Sequence, residues 1–114
     1  MVLFLDYNII TEESEGVKIL ALSVKNGVFL LVSDSEYMFG TTAVALPGVS
    51  ITGESVSSIY PVFGVRNDIF AKSIAEKLSK KVNKTVIASV FIRNQEPEFI
   101  DNVLKLLKKV MERL

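Results

Sequence analysis

Three glutamates, Glu12, Glu13 and Glu15, crowd the first polar stretch of the sequence, and carboxylates so closely spaced are the usual raw material of a hard-cation site. They do not follow the alternating oxygen-ligand spacing of a calcium loop, so Thr11 to Gly16 is expected to be a solvated acidic turn. Ser73 and Lys77 stand one helical turn apart, the spacing of a serine nucleophile and a lysine base. Such a pair needs a desolvated lysine and an oxyanion hole, whereas these two positions fall on the polar edge of an amphipathic segment. Phe63-Gly64-Val65-Arg66-Asn67 precedes a helical pattern, as an anion-holding loop does, yet it has one glycine and no Gly-Lys-Ser/Thr ending. Lys80, Lys81 and Lys84 form the densest basic cluster. With no neighbouring exposed aromatics to stack bases, it reads as compensation of a helix dipole. Asn83-Lys84-Thr85 matches a glycosylation triplet but has no secretory signal beside it.

The residue types that are missing weigh more. The sequence has no histidine and no cysteine. The commonest general base, the commonest transition-metal ligand and every thiolate reaction are therefore excluded together. No catalytic, cofactor-binding or metal-binding residue is assigned, and no cofactor is expected. Thirteen basic residues balance thirteen acidic ones, which argues against nucleic acid or anionic lipid as the main partner and favours self-association. No apolar run approaches the ~20 residues of a membrane span. The opening MVLFLDYN lacks a basic n-region and cleavage site, so a cytoplasmic location is expected.

The elements that would position any site follow from periodicity. Residues 1–114 are expected to form a single domain. Leu3, Leu5, Tyr7 and Ile9 alternate with Val2, Phe4, Asp6 and Asn8, a strand pattern. Val17–Lys25 and Val28–Ser33 flank Asn26-Gly27, which predicts a hairpin with a type I′ turn and Leu22 opposite Leu31. Tyr37 to Leu46 reads as a strand, residues 47–58 as a loop, and Ile59–Val65 as a short strand that Pro61 places at an edge. Asn67 or Asp68 caps a helix running to about Val82, with Phe70, Ala71, Ile74, Ala75, Leu78 and Val82 as its inner stripe and Asn83 as its C-terminal cap. A strand over Thr85–Ile92 follows, and Pro97 suits the first position of a last helix. The apolar positions of that helix cover an arc of roughly 160°, which suits packing on the protein's own sheet; a coiled coil is disfavoured because the run is so short. The predicted architecture is α+β: one mostly antiparallel sheet of about six strands, with two helices on one face.

Such a sheet carries too much apolar surface. An antiparallel sheet usually has one buried and one wet face. Here Leu20, Leu22, Val24, Phe29 and Leu31 are assigned to the helix-covered side with Val86, Ala88, Val90 and Ile92, but the opposite side still carries bulky residues. Phe4, Val28, Leu30, Val32, Ile87 and Phe91 are expected to form a surface closed by another protein chain, since monomers rarely expose extended apolar patches.

The C-terminal half resembles the proteasome assembly chaperone 3/4 family, nearest to the fourth eukaryotic chaperone of that set. The carrying residues are Ile74-Ala75-Glu76-Lys77-Leu78-Ser79-Lys80-Lys81-Val82-Asn83-Lys84, the strand Val86 to Phe91, and Asn94-Gln95. Val28-Phe29-Leu30-Leu31-Val32 and Ala43-Val44-Ala45-Leu46 are similar as well, so the likeness spans about residues 23–46 and 59–113, with 47–58 as an insertion. The resemblance implies a non-enzymatic chaperone of proteasome core assembly, in an archaeal-type form. Members of the family pair through their sheets with helices outward and hold an α-type proteasome subunit. The implied partners are the chain itself, a second assembly-chaperone-like protein and a proteasome α subunit; no residue-level binding motif carries over. The competing reading is a small regulatory or ligand-binding α/β domain, and an enzyme built on carboxylates or serine and lysine ranks last.

Overall fold

The computed structural model describes residues 7–47, 56–60 and 67–114. Six strands, β1 (Asn8–Ser14), β2 (Val17–Val24), β3 (Gly27–Ser33), β4 (Thr41–Leu46), β5 (Val56–Tyr60) and β6 (Thr85–Phe91), form one sheet in the order β1-β2-β3-β6-β4-β5. The helices are α1 (Asp68–Val82) and α2 (Pro97–Glu112). Every strand pair is antiparallel except the central one, β3 with β6, which is parallel. The α+β reading with two helices on one face stands, with that mixed centre as its one amendment.

The turns obey local chemistry, although not where the sequence places it. Glu15 and Gly16 both have positive φ, 48° and 84°, and they join Ser14 to its partner Val17. That is the two-residue turn with both central residues left-handed which suits strand twist. Thr11–Ser14 therefore belong to β1, and only Glu15-Gly16 form the turn. Between β2 and β3 the loop is Lys25-Asn26, with Val24 opposite Gly27 and Leu22 opposite Phe29 rather than Leu31. Neither loop residue has positive φ, so Asn26-Gly27 is not a type I′ turn. Gly27 serves a different need: a Cβ there would sit 2.9 Å from the Thr85 carbonyl oxygen, where β6 begins. Strand β4 starts at Thr41 and not at Tyr37. Val56–Ser58, expected within a loop, lie in β5, while the Leu3–Leu5 alternation, Pro61 and the Phe63–Arg66 segment fall outside the described residues.

Helix α1 ends as expected on Asn83, whose left-handed φ of 55° lets its N–H donate to the Ser79 carbonyl at 2.8 Å. Its start differs. Asn67 occupies the N-cap position without capping. Its buried side chain instead donates to the Ile92 carbonyl at 3.0 Å and accepts from the Ile92 N–H at 3.1 Å, extending β6 as a strand partner would. Pro97 opens α2. Val103, Leu106, Leu107 and Val110 are its buried stripe, narrower than the expected arc because Leu104 is half exposed.

Helix α1 rests on β4, β5 and β6, and α2 on β1 and β2. Both contribute to one buried cluster with Ile10, Val17, Ile19, Ala21, Val28, Leu30, Val32, Ala43, Ala45, Val86, Ala88 and Val90. This corrects the face assigned to β3. Val28, Leu30 and Val32 are 4%, 0% and 0% exposed and lie in the helix-covered core, so they do not belong to an exposed face. The reason is register: Val28 pairs with Val86, Leu30 with Ala88 and Val32 with Val90. The alternation of β6 therefore carries straight across to β3 and puts these six side chains on one face.

Candidate functional site

The face of the sheet away from the helices is the candidate site. Pleat alternation and the observed register bring Ile9, Leu22, Val24, Phe29, Ile87 and Leu46 to it. Of these, Ile9 is 53% exposed, Leu46 47%, Ile87 39% and Val24 37%. Leu22, Val24, Phe29 and Ile87 surround a shallow depression of about 250 Å³ above the Gly27–Thr85 pairing. The absent side chain of Gly27 helps to keep it open.

The other end of the same face is roofed by residues 34–40. The Ser33 hydroxyl donates to the Glu36 carbonyl at 2.6 Å and accepts from the Ser35 N–H at 3.3 Å. The Phe39 ring meets Phe29 edge-on, with centroids 6.2 Å apart. The Gly40 N–H donates to the buried Ser89 hydroxyl at 2.8 Å. Leu31 lies between Ser33 and Phe29 on β3 and pairs with Ser89, so this segment passes over it, and it is 7% exposed. Phe91, 6% exposed, stacks beneath the Arg93 guanidinium, 5.1 Å from the ring centre. Asp34 anchors the start of the segment by accepting from the N–H groups of Arg93 and Asn94. On β2, the Lys18 ammonium lies 3.3 Å from the Glu36 carboxylate and 5.6 Å from the Tyr37 ring. The hydrogen bond and charge of Glu36 hold the Lys18 pKa above the ordinary lysine value.

Of the six residues expected to meet a partner, Ile87 and Phe91 are on this face, Val28, Leu30 and Val32 are in the core, and Phe4 lies outside the described residues. The face instead carries Leu22, Val24 and Phe29, which the sequence pattern assigns to the helix-covered side. No periodic signal separates the two choices, because β3 is apolar on both sides. Tyr37, Met38 and Phe39 precede β4 instead of opening it, and their signal in the sequence is three consecutive large apolar residues between a serine-rich turn and Gly40.

The residues first considered for chemistry do not converge. Glu12 pairs with Arg113 at 3.1 Å, and Glu15 accepts from Asn102 at 2.8 Å, so these carboxylates tie β1 and its turn to α2. Among the described residues, no three acidic, histidine or cysteine side chains gather as a metal set. Ser73 and Lys77 are exposed on α1. Lys81 and Lys84 donate to the carbonyls of Met111 and Val24, linking the ends of α1 and β6 to α2 and the hairpin. Among the described residues, no helix is long and apolar enough to cross a membrane.

The fold defines a class: a mixed six-stranded α+β sheet layered by two helices on one side and, among the described residues, carrying no helix on the other. Within it, the chain is similar to a chain from the crystal structure of a chaperone complex for yeast 20S proteasome assembly. The TM-score is 0.62 and the identity 18%, with 95% of this chain and 94% of that one covered. This likeness is one of fold. No family model matches the sequence, and no curated protein matches it.

Proposed function

We propose that the chain is a non-enzymatic assembly chaperone or scaffold subunit of the cytoplasm, a single chaperone-like domain over residues 1–114 that works in a homo- or hetero-oligomer. The observation that carries the reading is the sheet face that no helix among the described residues covers, where Ile9, Val24, Leu46 and Ile87 remain exposed in the isolated chain. Apolar area of this extent on one side of a sheet is stabilised by covering it with another protein surface. The shared fold of the yeast chaperone-complex chain supports proteasome core assembly as the setting. The partners are a second copy, another assembly-chaperone-like protein and a proteasome α subunit. On this reading the chain is an archaeal-type relative of chaperone 4 of the 3/4 set.

The test is co-expression of the tagged chain with proteasome α subunits from the same organism, followed by purification and mass measurement of intact complexes. A stoichiometric complex with an α subunit, lost in Ile87→Glu and kept in Lys80→Glu, is expected. Retention of no α subunit, or equal retention by both variants, refutes the proposal.

A further inference from the structure

The two helices lie side by side on the sheet, and neither packs extensively on the other: α1 covers β4, β5 and β6, and α2 covers β1 and β2. They run in the same direction. Asn67 starts α1 beside Ile92, at the end of β6, and α2 sets out from that end as well. Their last turns meet where the Lys81 ammonium donates to the Met111 carbonyl. Asn102 and Arg113 of α2 reach to Glu15 and Glu12 at the β1 edge, so the opposite side of α2 is the one turned towards α1. At 100° per residue that side carries Ile100, Leu104, Lys108 and Met111. Lys81 marks the facing side of α1 in the same way, and Phe70 and Lys77 share it. The two rows bound a groove about 16 Å long from Phe70 to Lys81, at 1.5 Å of rise per residue. At its N-terminal end it opens into a depression of about 470 Å³ lined by Phe70, Ser73, Asp68 and Gln95.

This groove has apolar walls and a basic rim. Phe70, Ile100 and Met111 touch the core but are only partly buried, and Leu104 is 48% exposed. No carboxylate stands on either row. Lys77 and Lys108 are exposed and, among the described residues, form no ion pair. A helix dipole does not account for them. Its effect is confined to the last turn, which Lys80 and Lys81 serve in α1 and Lys109 in α2. We infer that the interhelical groove is a docking site for an acidic amphipathic helix of another protein. Its apolar row would seat on Phe70, Ile100, Leu104 and Met111, and its flanking carboxylates would pair with Lys77 and Lys108. A helix presents anchors at every third or fourth residue, the spacing that two parallel rows accept. Charge selects the occupant. A second copy of this chain does not qualify, because the apolar stripes of its own two helices are already buried on its own sheet. The groove is on the opposite side of the sheet from the face described above and does not depend on the reading of that face.

The probe is a phage-displayed library of random peptides of about 16 residues, long enough to span the groove as a helix, selected on the intact chain. Enriched peptides are synthesised, and their affinity is measured by fluorescence anisotropy. They should carry Asp or Glu beside apolar residues at helical spacing. Lys77→Glu and Lys108→Glu should each weaken binding about threefold, and together about tenfold, the scale of exposed ion pairs. Leu104→Ser should weaken it several-fold, and added salt should weaken it as well. Lys72→Glu makes the same charge change on the side of α1 turned away from α2, and Ile87→Glu lies across the sheet; both should bind as the wild type does. All five positions are exposed, so the circular dichroism of every variant should be unchanged. Enrichment of no peptide, or of neutral or basic ones, overturns the inference. So does equal weakening by Lys72→Glu, which would reduce the effect to net charge. A single-stranded oligothymidylate that binds more tightly than the selected peptides, and is released by the same lysine changes, overturns the helical occupant in favour of phosphate. Loss of peptide binding in Ile87→Glu alone overturns the groove while supporting the sheet face as the docking surface.

Discussion

Replacing Leu30 with alanine separates the two sides of the sheet more sharply than any other single change. Leu30 is 0% exposed, and its cross-strand neighbours are Ala21 on β2 and Ala88 on β6. Neither small side chain can swing into the space that a shortened residue leaves. Leucine-to-alanine changes in cores cost ~2–5 kcal/mol, with the larger values where the site cannot collapse. About 4 kcal/mol is therefore expected here. At roughly 4 °C per kcal/mol for a domain of this size, the melting temperature falls by about 15 °C. Ile87→Glu changes a residue on the opposite side that is 39% exposed already. It forfeits only part of one side chain's burial, about 1 kcal/mol. Thermal unfolding followed by circular dichroism, at concentrations low enough to suppress association, measures both. An Ile87→Glu variant that unfolds while Leu30→Ala keeps its melting temperature would show that the covered face has been misassigned.

Asn67→Ala should cost about 2–3 kcal/mol in urea unfolding, because it removes two hydrogen bonds to Ile92 and leaves a buried N–H without its acceptor. Gly40→Ala should prevent stable folding, since its Cβ would run into the β6 backbone at Val90 and Phe91, which cannot yield as a side chain can; normal expression and melting would contradict this. Glu15→Gly should raise stability by roughly 0.5–1 kcal/mol, as it relieves a left-handed glutamate at the loss of one exposed contact with Asn102. Divalent cations and nucleotides should leave the melting temperature unchanged, because a ligand that binds only the folded chain must raise it.

Much of the fold was legible because the relevant signals are local. The stripe of Ala71, Ile74, Ala75 and Leu78 fixed α1, the left-handed Asn83 ended it, and Pro97 opened α2. What failed depended on contacts between distant segments. Asn26-Gly27 carries a strong turn signature, yet Gly27 is required by the approach of Thr85, far along the chain, and the turn conformation appears at Glu15-Gly16 instead. The hairpin register slipped by two residues, which preserved which side chains share a face. The error lay in choosing the face. Val28, Leu30 and Val32 on one side of β3 are as apolar as Phe29 and Leu31 on the other, and only the in-register parallel pairing with β6 decides between them. The candidate site was thus legible as a surplus of apolar surface but not as a set of residues. For the same reason Asn67 looked like an ordinary helix cap: its true partner, Ile92, belongs to a segment that arrives after the helix.

The central parallel pair also constrains how the chain reaches this state. Strands β1, β2 and β3 are joined by tight turns and assemble from neighbouring residues, which leave the ribosome before β4, β5, α1 and β6. Their inner surface, Ile10, Ile19 and Leu30 among it, then has no cover. β6 cannot take its place beside β3 until β4, β5 and α1 have been made, and α2, which lies over β1 and β2, is the last described element of all. Pairings between distant segments are slow because the intervening loop must be ordered before the contact repays it. The nascent meander therefore waits with an unpaired β3 edge and an uncovered apolar side, the condition in which strands pair with the wrong neighbour. A protein of this architecture is exposed to misassembly during its own synthesis, before it meets any partner.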